Sequence, residues 1–185
     1  MTALATTPVI AAGTYVADPA HSRVEFAVKH LGIATVRGSF ETFEGSFEVG
    51  EDISTAAFKA TIETASINTN EEQRDAHLRS ADFFDAETYP QLTFVSTAVT
   101  PIDDETFNIT GTLTMHGVTR EVELEATIQG TETDPWGNER IGLELTGKLS
   151  RSDYGMEFNQ VLGSGNMLVS DKVKLSLDIS AIKQA

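Results

Sequence analysis

The residues of this chain that could carry out acid–base or nucleophilic chemistry are scattered along it. The four histidines, His21, His30, His77 and His116, lie far apart, and no two have the H-x-x-x-H spacing that brings two imidazoles to one metal ion. The chain has no cysteine, which excludes thiolate nucleophiles, disulfides and cysteine-ligated metals. We therefore expect no metal site and no cofactor.

One segment contains the residue types of a hydrolase triad. Asp18, His21 and Ser22 lie within five residues of each other, and three side chains of one turn do not align as orienting acid, base and nucleophile. The G-x-S-x-G motif of a nucleophile elbow is absent, and Gly163-Ser164-Gly165 is too short for it. We expect no catalytic residues and no enzymatic activity.

Three polar residues are candidates for contacts with the head group of a ligand. His30 is the last residue of a predicted strand and has the same inward parity as the apolar residues of that strand. Arg74 and His77 are three residues apart on a predicted helix, so they share a face of that helix. Asn68 and Asp75 are close by in sequence. The alternatives are a structural histidine at a strand end and a polar network that holds the helix over one end of the fold.

Length, composition and charge limit the class of protein. The 185 residues suit one domain, which we expect over residues 13–185, after a flexible tail over residues 1–12. The net charge is −15, from 13 Lys and Arg against 28 Asp and Glu. No basic patch is visible in the sequence, which argues against nucleic acid as a partner and against electrostatic docking on anionic lipid.

Targeting signals are also missing from the sequence. No run of 18 apolar residues exists, so we expect no integral membrane segment. The start of the chain lacks the basic region and the long apolar stretch of a signal peptide, so we expect a cytoplasmic location.

The dominant pattern is the alternation of apolar and polar residues with a period of two, which predicts half-buried β-strands. It covers residues 23–30, 58–63, 92–99, 107–115, 118–128, 141–149 and 173–179. The parity slips by one between Phe40 and Phe43, which predicts a bulge or bend near Glu41–Thr42. A helix is predicted over residues 71–80, with Asn70 as its cap.

These elements predict an all-β protein of about eight antiparallel strands with one short helix. Each strand has one charged face, so the apolar faces must share one interior, as in a closed barrel. By parity, the inward residues should line a pocket: Phe26, Val28, Phe40, Phe43, Phe47, Ile62, Phe94, Leu113, Met115, Leu143 and Leu145. In the Gly-rich loop, Met156 and Phe158 could line or gate that pocket. The alternative is a fully packed interior without a pocket.

Several separate runs resemble the YceI-like family, also described as polyisoprenoid-binding proteins. They occur in order from about Gly13 to Ile182: Asp18-Pro19-Ala20-His21-Ser22, Val24–His30, Arg74–Ser80, Gly111–Val118 and Arg151–Met156. The resemblance implies an extended, lipocalin-like barrel that encloses a long apolar chain, typically a polyisoprenoid or a related amphiphile.

The function implied is the non-catalytic binding, sequestration or transport of a long-chain isoprenoid lipid, with that lipid as the ligand and partner. The alternative is a packed barrel that serves as a structural or stress-related interaction module without bound lipid. The sequence does not decide between a monomer and a homodimer.

Overall fold

A computed structural model describes residues 10–185. The described residues form eleven β-strands and one α-helix, with 3-10 turns at Pro19–His21, Ile53–Thr55, Thr64–Ser66 and Arg151–Tyr154. The strands are β1 (Gly13–Ala17), β2 (Arg23–His30), β3 (Ala34–Phe40), β4 (Phe43–Val49), β5 (Ala57–Glu63), β6 (Ile67–Asn68), β7 (Gln91–Pro101), β8 (Thr106–Met115), β9 (Val118–Thr133), β10 (Glu139–Ser150) and β11 (Val169–Lys183), and the helix is α1 (Glu72–Arg79).

The strands close into an antiparallel barrel with eight positions around its wall. Three positions each hold two short strands end to end: β1 with β2, β3 with β4, and β5 with β6. The last strand, β11, pairs with β10 on one side and with both β1 and β2 on the other, through Ala17–Ala181 and Arg23–Asp178. This closure leaves the central strands without a free edge and confirms the predicted eight-stranded barrel with one helix.

The parity slip in the sequence marks a strand bend. β3 ends at Phe40, β4 begins at Phe43, and both phenylalanines are buried. The bend faces the break between β5 and β6, since Glu41 donates its N–H to the Ser66 carbonyl and Glu63 donates its N–H to the Thr42 carbonyl. Two extra residues in the bend let both flanking strands direct their aromatic residues inward.

Helix α1 starts two residues after the predicted cap, which corrects the assignment of Asn70. The capping residue is Glu71, whose carboxylate accepts hydrogen bonds from the N–H groups of Gln73 and Arg74 at 3.2 and 2.6 Å. Asn70 lies one residue earlier with a φ of 60°, a left-handed conformation that asparagine tolerates. It therefore makes the turn into the helix, and Glu71 satisfies the free N–H groups.

The described chain begins in contact with the barrel. Ile10 is buried in the core, and the Tyr15 hydroxyl donates a 2.9 Å hydrogen bond to the Ala11 carbonyl. Ile10, expected in the tail, therefore packs against the domain, and residues 1–9 of the expected tail lie outside the described residues. No helix within residues 10–185 is long and apolar enough to cross a bilayer.

The apolar interior consists of two clusters, one toward each end of the barrel. The turn end carries the turns at residues 102–105 and 134–138, and its cluster is built around Tyr15, Phe107 and Ile141. The helix end carries α1 and the 3-10 turn at Arg151–Tyr154, and its cluster includes Ile67 and Tyr154.

Candidate ligand-binding cavity

A cavity of about 230 Å³ lies inside the barrel between the two clusters. One water molecule needs only roughly 10–15 Å³ by the same measure, so the interior is not fully packed. Eleven of the residues chosen by parity or from the loop line this cavity: Phe26, Val28, Phe40, Phe47, Ile62, Phe94, Leu113, Met115, Leu143, Leu145 and Met156. Strands that are distant in sequence therefore present their inward residues to one space, while contact of these residues with a ligand stays a prediction.

The other five predicted site residues lie off the cavity wall: His30, Phe43, Arg74, His77 and Phe158. Phe43 is buried directly after the bend between β3 and β4, in register with Ile62 of β5. His30 is half-buried at the end of β2, opposite Val169 and Ala34. Parity identifies the inward face of a strand, but it does not show how far along the strand the cavity extends.

Arg74 holds the start of α1 against the preceding segment. Its Nε donates to the Thr69 hydroxyl at 2.8 Å and its Nη2 to the Thr69 carbonyl at 2.9 Å. The buried Asp75 carboxylate accepts the N–H and the hydroxyl of Thr69 at 2.8 and 2.5 Å. This geometry matches the second interpretation given above, a polar network that holds the helix over the barrel end.

His77 joins α1 to the loop over residues 155–168. Its ring meets Phe83 and Phe158 edge-on at centroid distances of 5.0 and 4.9 Å, and those two phenylalanines lie 5.2 Å apart. Its Nε2 lies 2.8 Å from Oδ2 of Asp82. Phe83 also lines the cavity, so this aromatic cluster of His77, Phe83 and Phe158 forms part of the cover at the helix end.

Arg151 is a buried cation on the cavity wall that the sequence did not predict as a site residue. It is 6% exposed, and its guanidinium donates to the carbonyls of Met156, Ser170 and Val169 at 2.8, 3.0 and 3.3 Å. Burial lowers its pKa below the ordinary value. Arg151 therefore ties both ends of the loop over residues 155–168 together, a role that needs the planar, forked donors of arginine.

Aromatic rings close the cavity at the turn end. The centroids of Tyr15 and Phe47 are 4.9 Å apart, those of Phe47 and Phe58 are 4.9 Å apart, and those of Phe58 and Phe107 are 6.1 Å apart. Phe47 and Phe58 line the cavity, whereas Tyr15 and Phe107 do not. These four residues, the aromatic floor, separate the cavity from the turn end, and burial raises the pKa of Tyr15.

Two glycines make room for aromatic rings on the cavity wall. Phe26 of β2 pairs in register with Gly38 of β3, and a Cβ at Gly38 would overlap the Phe26 ring. A Cβ at Gly111 of β8 would come within 2.5 Å of the Phe94 ring. Both rings therefore pack directly against glycine backbone. Strand pairing brings each glycine and its aromatic partner together, because the two residues are separated in sequence.

The structure assembles no catalytic group from the residues considered above. His21 Nδ1 lies 2.7 Å from Oδ2 of Asp18, but Ser22 bonds the backbone of Ser180, donating to its carbonyl and accepting from its N–H. The Ser22 hydroxyl is therefore engaged by the backbone of β11. Within residues 10–185, no three His, Asp or Glu side chains converge as metal ligands.

Comparison with known proteins identifies the family. A model of the YceI-like domain matches residues 15–181. Protein YceI of Escherichia coli O157:H7 is 41% identical over 165 residues, which are 89% of this chain and 83% of that protein.

Solved structures show the same fold. Burkholderia cenocepacia BcnA matches with a TM-score of 0.76 at 24% identity, over 89% of this chain and 98% of the other. A polyisoprenoid-binding domain from Saccharophagus degradans matches with a TM-score of 0.70 at 17% identity, over 94% of this chain and all of the other. With 41% identity to YceI and a family match over nearly the whole barrel, the chain belongs to the YceI-like family.

Proposed function

We propose that this protein binds one long, narrow apolar lipid, such as a polyisoprenoid, inside the barrel. It carries or sequesters this lipid without chemical change. The observation that supports this most directly is the cavity of about 230 Å³ with a wall of aliphatic and aromatic side chains. An apolar chain loses its contact with water there, which contributes about 0.8 kcal/mol per buried CH₂ group. A chain of many carbons can thus bind tightly with few polar contacts.

The relatives support the same class of ligand. The Saccharophagus degradans neighbour is described as polyisoprenoid-binding. The aromatic floor closes the turn end and the aromatic cluster covers the helix end, so the cavity accepts a narrow chain more readily than a broad, rigid ring system. Methionines such as Met115 and Met156 on the wall adapt their shape to different chains.

The wall contains no paired nucleophile and base, which favours binding over catalysis. Of the ionisable residues that border it, Glu25 and Lys59 have outward parity on β2 and β5, and Arg151 lies in a 3-10 turn. Arg151 is engaged by three backbone carbonyls. A carrier or a storage protein fits this wall better than an enzyme does.

Extraction of the purified protein with organic solvent, followed by mass spectrometry, tests the proposal. We expect lipid in near-stoichiometric amounts, and we expect delipidated protein to rebind a fluorescent polyprenol in the same ratio. A clean extract together with no rebinding would support the packed interaction module instead. Phe47→Asp serves as the matched negative control, because a carboxylate on the floor should prevent rebinding.

A further inference from the structure

Five basic side chains collect on the outer face of four adjacent strands. Lys29 lies on β2, Arg37 on β3, Lys148 on β10, and Lys172 and Lys174 on β11. Strand pairing aligns three of them in one row across the sheet, because Arg37 pairs with Ala27, Ala27 with Lys174, and Lys174 with Lys148. This basic patch holds five of the 13 Lys and Arg residues of a chain whose net charge is −15.

The cations of the basic patch are not neutralised by ion pairs. Every ion pair found within residues 10–185 involves His21, His77, Arg140 or Lys183. Lys29 and Lys172 donate instead to the hydroxyls of Thr35 and Ser150, at 3.0 and 2.7 Å. A groove of about 400 Å³ runs along the row, and its wall contains Arg37, Lys148 and Lys174 against a single carboxylate, Glu25.

On the same strands, Glu25, Glu144 and Asp178 lie further toward the turn end than the basic patch, and a row of acidic residues lies on the neighbouring strand. The next strand beyond β10 is β9, which exposes Glu121, Glu123 and Glu125 on its outer face. The two neighbouring faces therefore carry opposite charge. Such a dipole turns the basic face of an acidic protein toward an anionic surface, even though the protein as a whole is repelled by it.

Exposed apolar side chains lie beside the basic patch. Ile33 is 82% exposed in the turn between β2 and β3. Val161 and Met167, which pair in an antiparallel bridge, are 66% and 48% exposed. The two segments touch, since Leu31 donates its N–H to the Leu168 carbonyl. All three apolar residues lie at the helix end, Val161 and Met167 within the loop over residues 155–168 and Ile33 beside it.

We propose that the basic patch and the apolar tips Ile33, Val161 and Met167 together dock the outer face of β2, β3, β10 and β11, beside the loop over residues 155–168, on an anionic lipid bilayer. Lysine and arginine are attracted to the acidic head groups, and exposed apolar side chains insert among the acyl chains beneath them. The net negative charge of the protein argues against such docking, but the basic patch gives this part of the surface a local excess of positive charge. This inference goes beyond the proposed function and adds the surface from which a bound chain would be exchanged.

Vesicle co-sedimentation of the full chain tests the proposal. The vesicles contain phosphatidylcholine alone or with ~30% phosphatidylglycerol, at about 10 mM and about 500 mM salt. We expect binding to the anionic vesicles at low salt, and at least about threefold less binding to neutral vesicles or at high salt. The variant K148Q/K174Q should lose at least about threefold of the bound fraction.

The matched control is R23Q/R120Q, which removes the same two positive charges outside the basic patch and should bind like the parent chain. A second variant, I33S, should weaken binding at both salt concentrations. Equal binding of K148Q/K174Q and R23Q/R120Q to the anionic vesicles would overturn the proposal. Equal binding of the parent chain to neutral and anionic vesicles would also overturn it, and this is the result expected if the partner of the basic patch were an acidic protein. Binding of fluorescent polyprenol without vesicles, measured in parallel, separates this outcome from failure of the proposed function.

Discussion

Phe58 stacks on Phe47 across strands β5 and β4, with ring centroids 4.9 Å apart and planes inclined by 25°. Both rings face the cavity, and behind them Tyr15 and Phe107 are almost fully buried. The aromatic floor therefore ends the space available to an apolar chain.

Truncating the floor should lengthen the preferred ligand. Phe58→Ala opens space toward the turn end, so we expect extracted or competing lipid chains to shift toward greater length. The substitution should lower the free energy of unfolding by about 3–5 kcal/mol. Competition among polyprenols of graded length, together with urea unfolding, measures both effects. Phe58→Leu is the control with a smaller shift. An unchanged length profile in Phe58→Ala would show that the floor does not limit the chain.

Filling the space under Phe26 should damage the wall. Gly38→Ala places a methyl group where the Phe26 ring lies, so we expect a loss of about 1–3 kcal/mol and weaker polyprenol binding. The double variant Phe26→Leu with Gly38→Ala should recover part of the stability, because the smaller side chain removes the overlap with the ring, while the contact with Thr69 Cγ2 at 2.8 Å remains. Additive losses in this double-mutant cycle would contradict direct packing between the two positions.

Arg151 should control the loop that covers the cavity. Arg151→Gln keeps a polar side chain but loses the forked hydrogen bonds to three backbone carbonyls. Each buried carbonyl left without a partner lowers the free energy of unfolding by roughly 1–3 kcal/mol. We expect faster hydrogen exchange over residues 155–168 and several-fold faster release of a bound probe. Arg151→Lys should not restore the slow release, since an ammonium group cannot reproduce the fork. Wild-type release rates in both variants would assign the cover to other contacts.

Arg74 should stabilise the helix rather than select the ligand. Arg74→Ala removes hydrogen bonds to Thr69 that contribute about 0.5–1.5 kcal/mol each, so hydrogen exchange in α1 should accelerate. Binding of prenyl chains with hydroxyl, quinone and phosphate heads should change equally for all three. Gln73→Ala, one residue earlier on the helix, provides the control. A loss confined to one head group would return Arg74 to the ligand-binding residues.

Asp18 should make the barrel sensitive to acid. Hydrogen bonds from His21 and Arg140 lower the pKa of Asp18 to about 2 from an ordinary value of 3.8. A carboxylate with a lowered pKa stabilises the folded state above its unfolded pKa, and this contribution is lost as the pH falls from about 4 to about 2. Asp18→Asn should therefore be less stable than the parent at pH 6, and the difference should shrink toward pH 2.

Urea unfolding across this pH range measures that difference, with Asp178→Asn on the outer face of β11 as the control. A difference that stays constant from pH 6 to pH 2 would show that the charge of Asp18 does not contribute. Asp134, whose pKa is lowered by Arg140 and Asn138, shares the same arginine, so Arg140→Gln should reduce the acid sensitivity of both carboxylates.

The strands and their inward faces could be predicted because alternation records which side of a sheet is buried. Phe26 and Leu143 are far apart in the chain, yet their parity alone places both inside. The remaining features depend on which strand lies beside which. The alignment of Arg37 with Lys174 and Lys148 requires the register of four strands, and a composition that is acidic overall hides it.

Local sequence signals are also incomplete at positions whose environment depends on tertiary contacts. Arginine is rarely fully buried, so the environment of Arg151 followed only from the two loop ends that meet around it. Asn70 has the residue type of a helix cap, but its left-handed backbone makes it the turn before the cap. His30 has inward parity, but the cavity stops at Val28.

The seam between β11 and the first two strands has a consequence for how the chain folds during synthesis. Residues 169–183 must pair with residues 15–30, so the barrel cannot close until β11 has left the ribosome. Until then, the edges of β1 and β2 and an apolar interior face the surrounding solution. Such late, long-range pairing slows folding and exposes the nascent chain to aggregation. A chain truncated before β11 should therefore accumulate as aggregates and depend on chaperones.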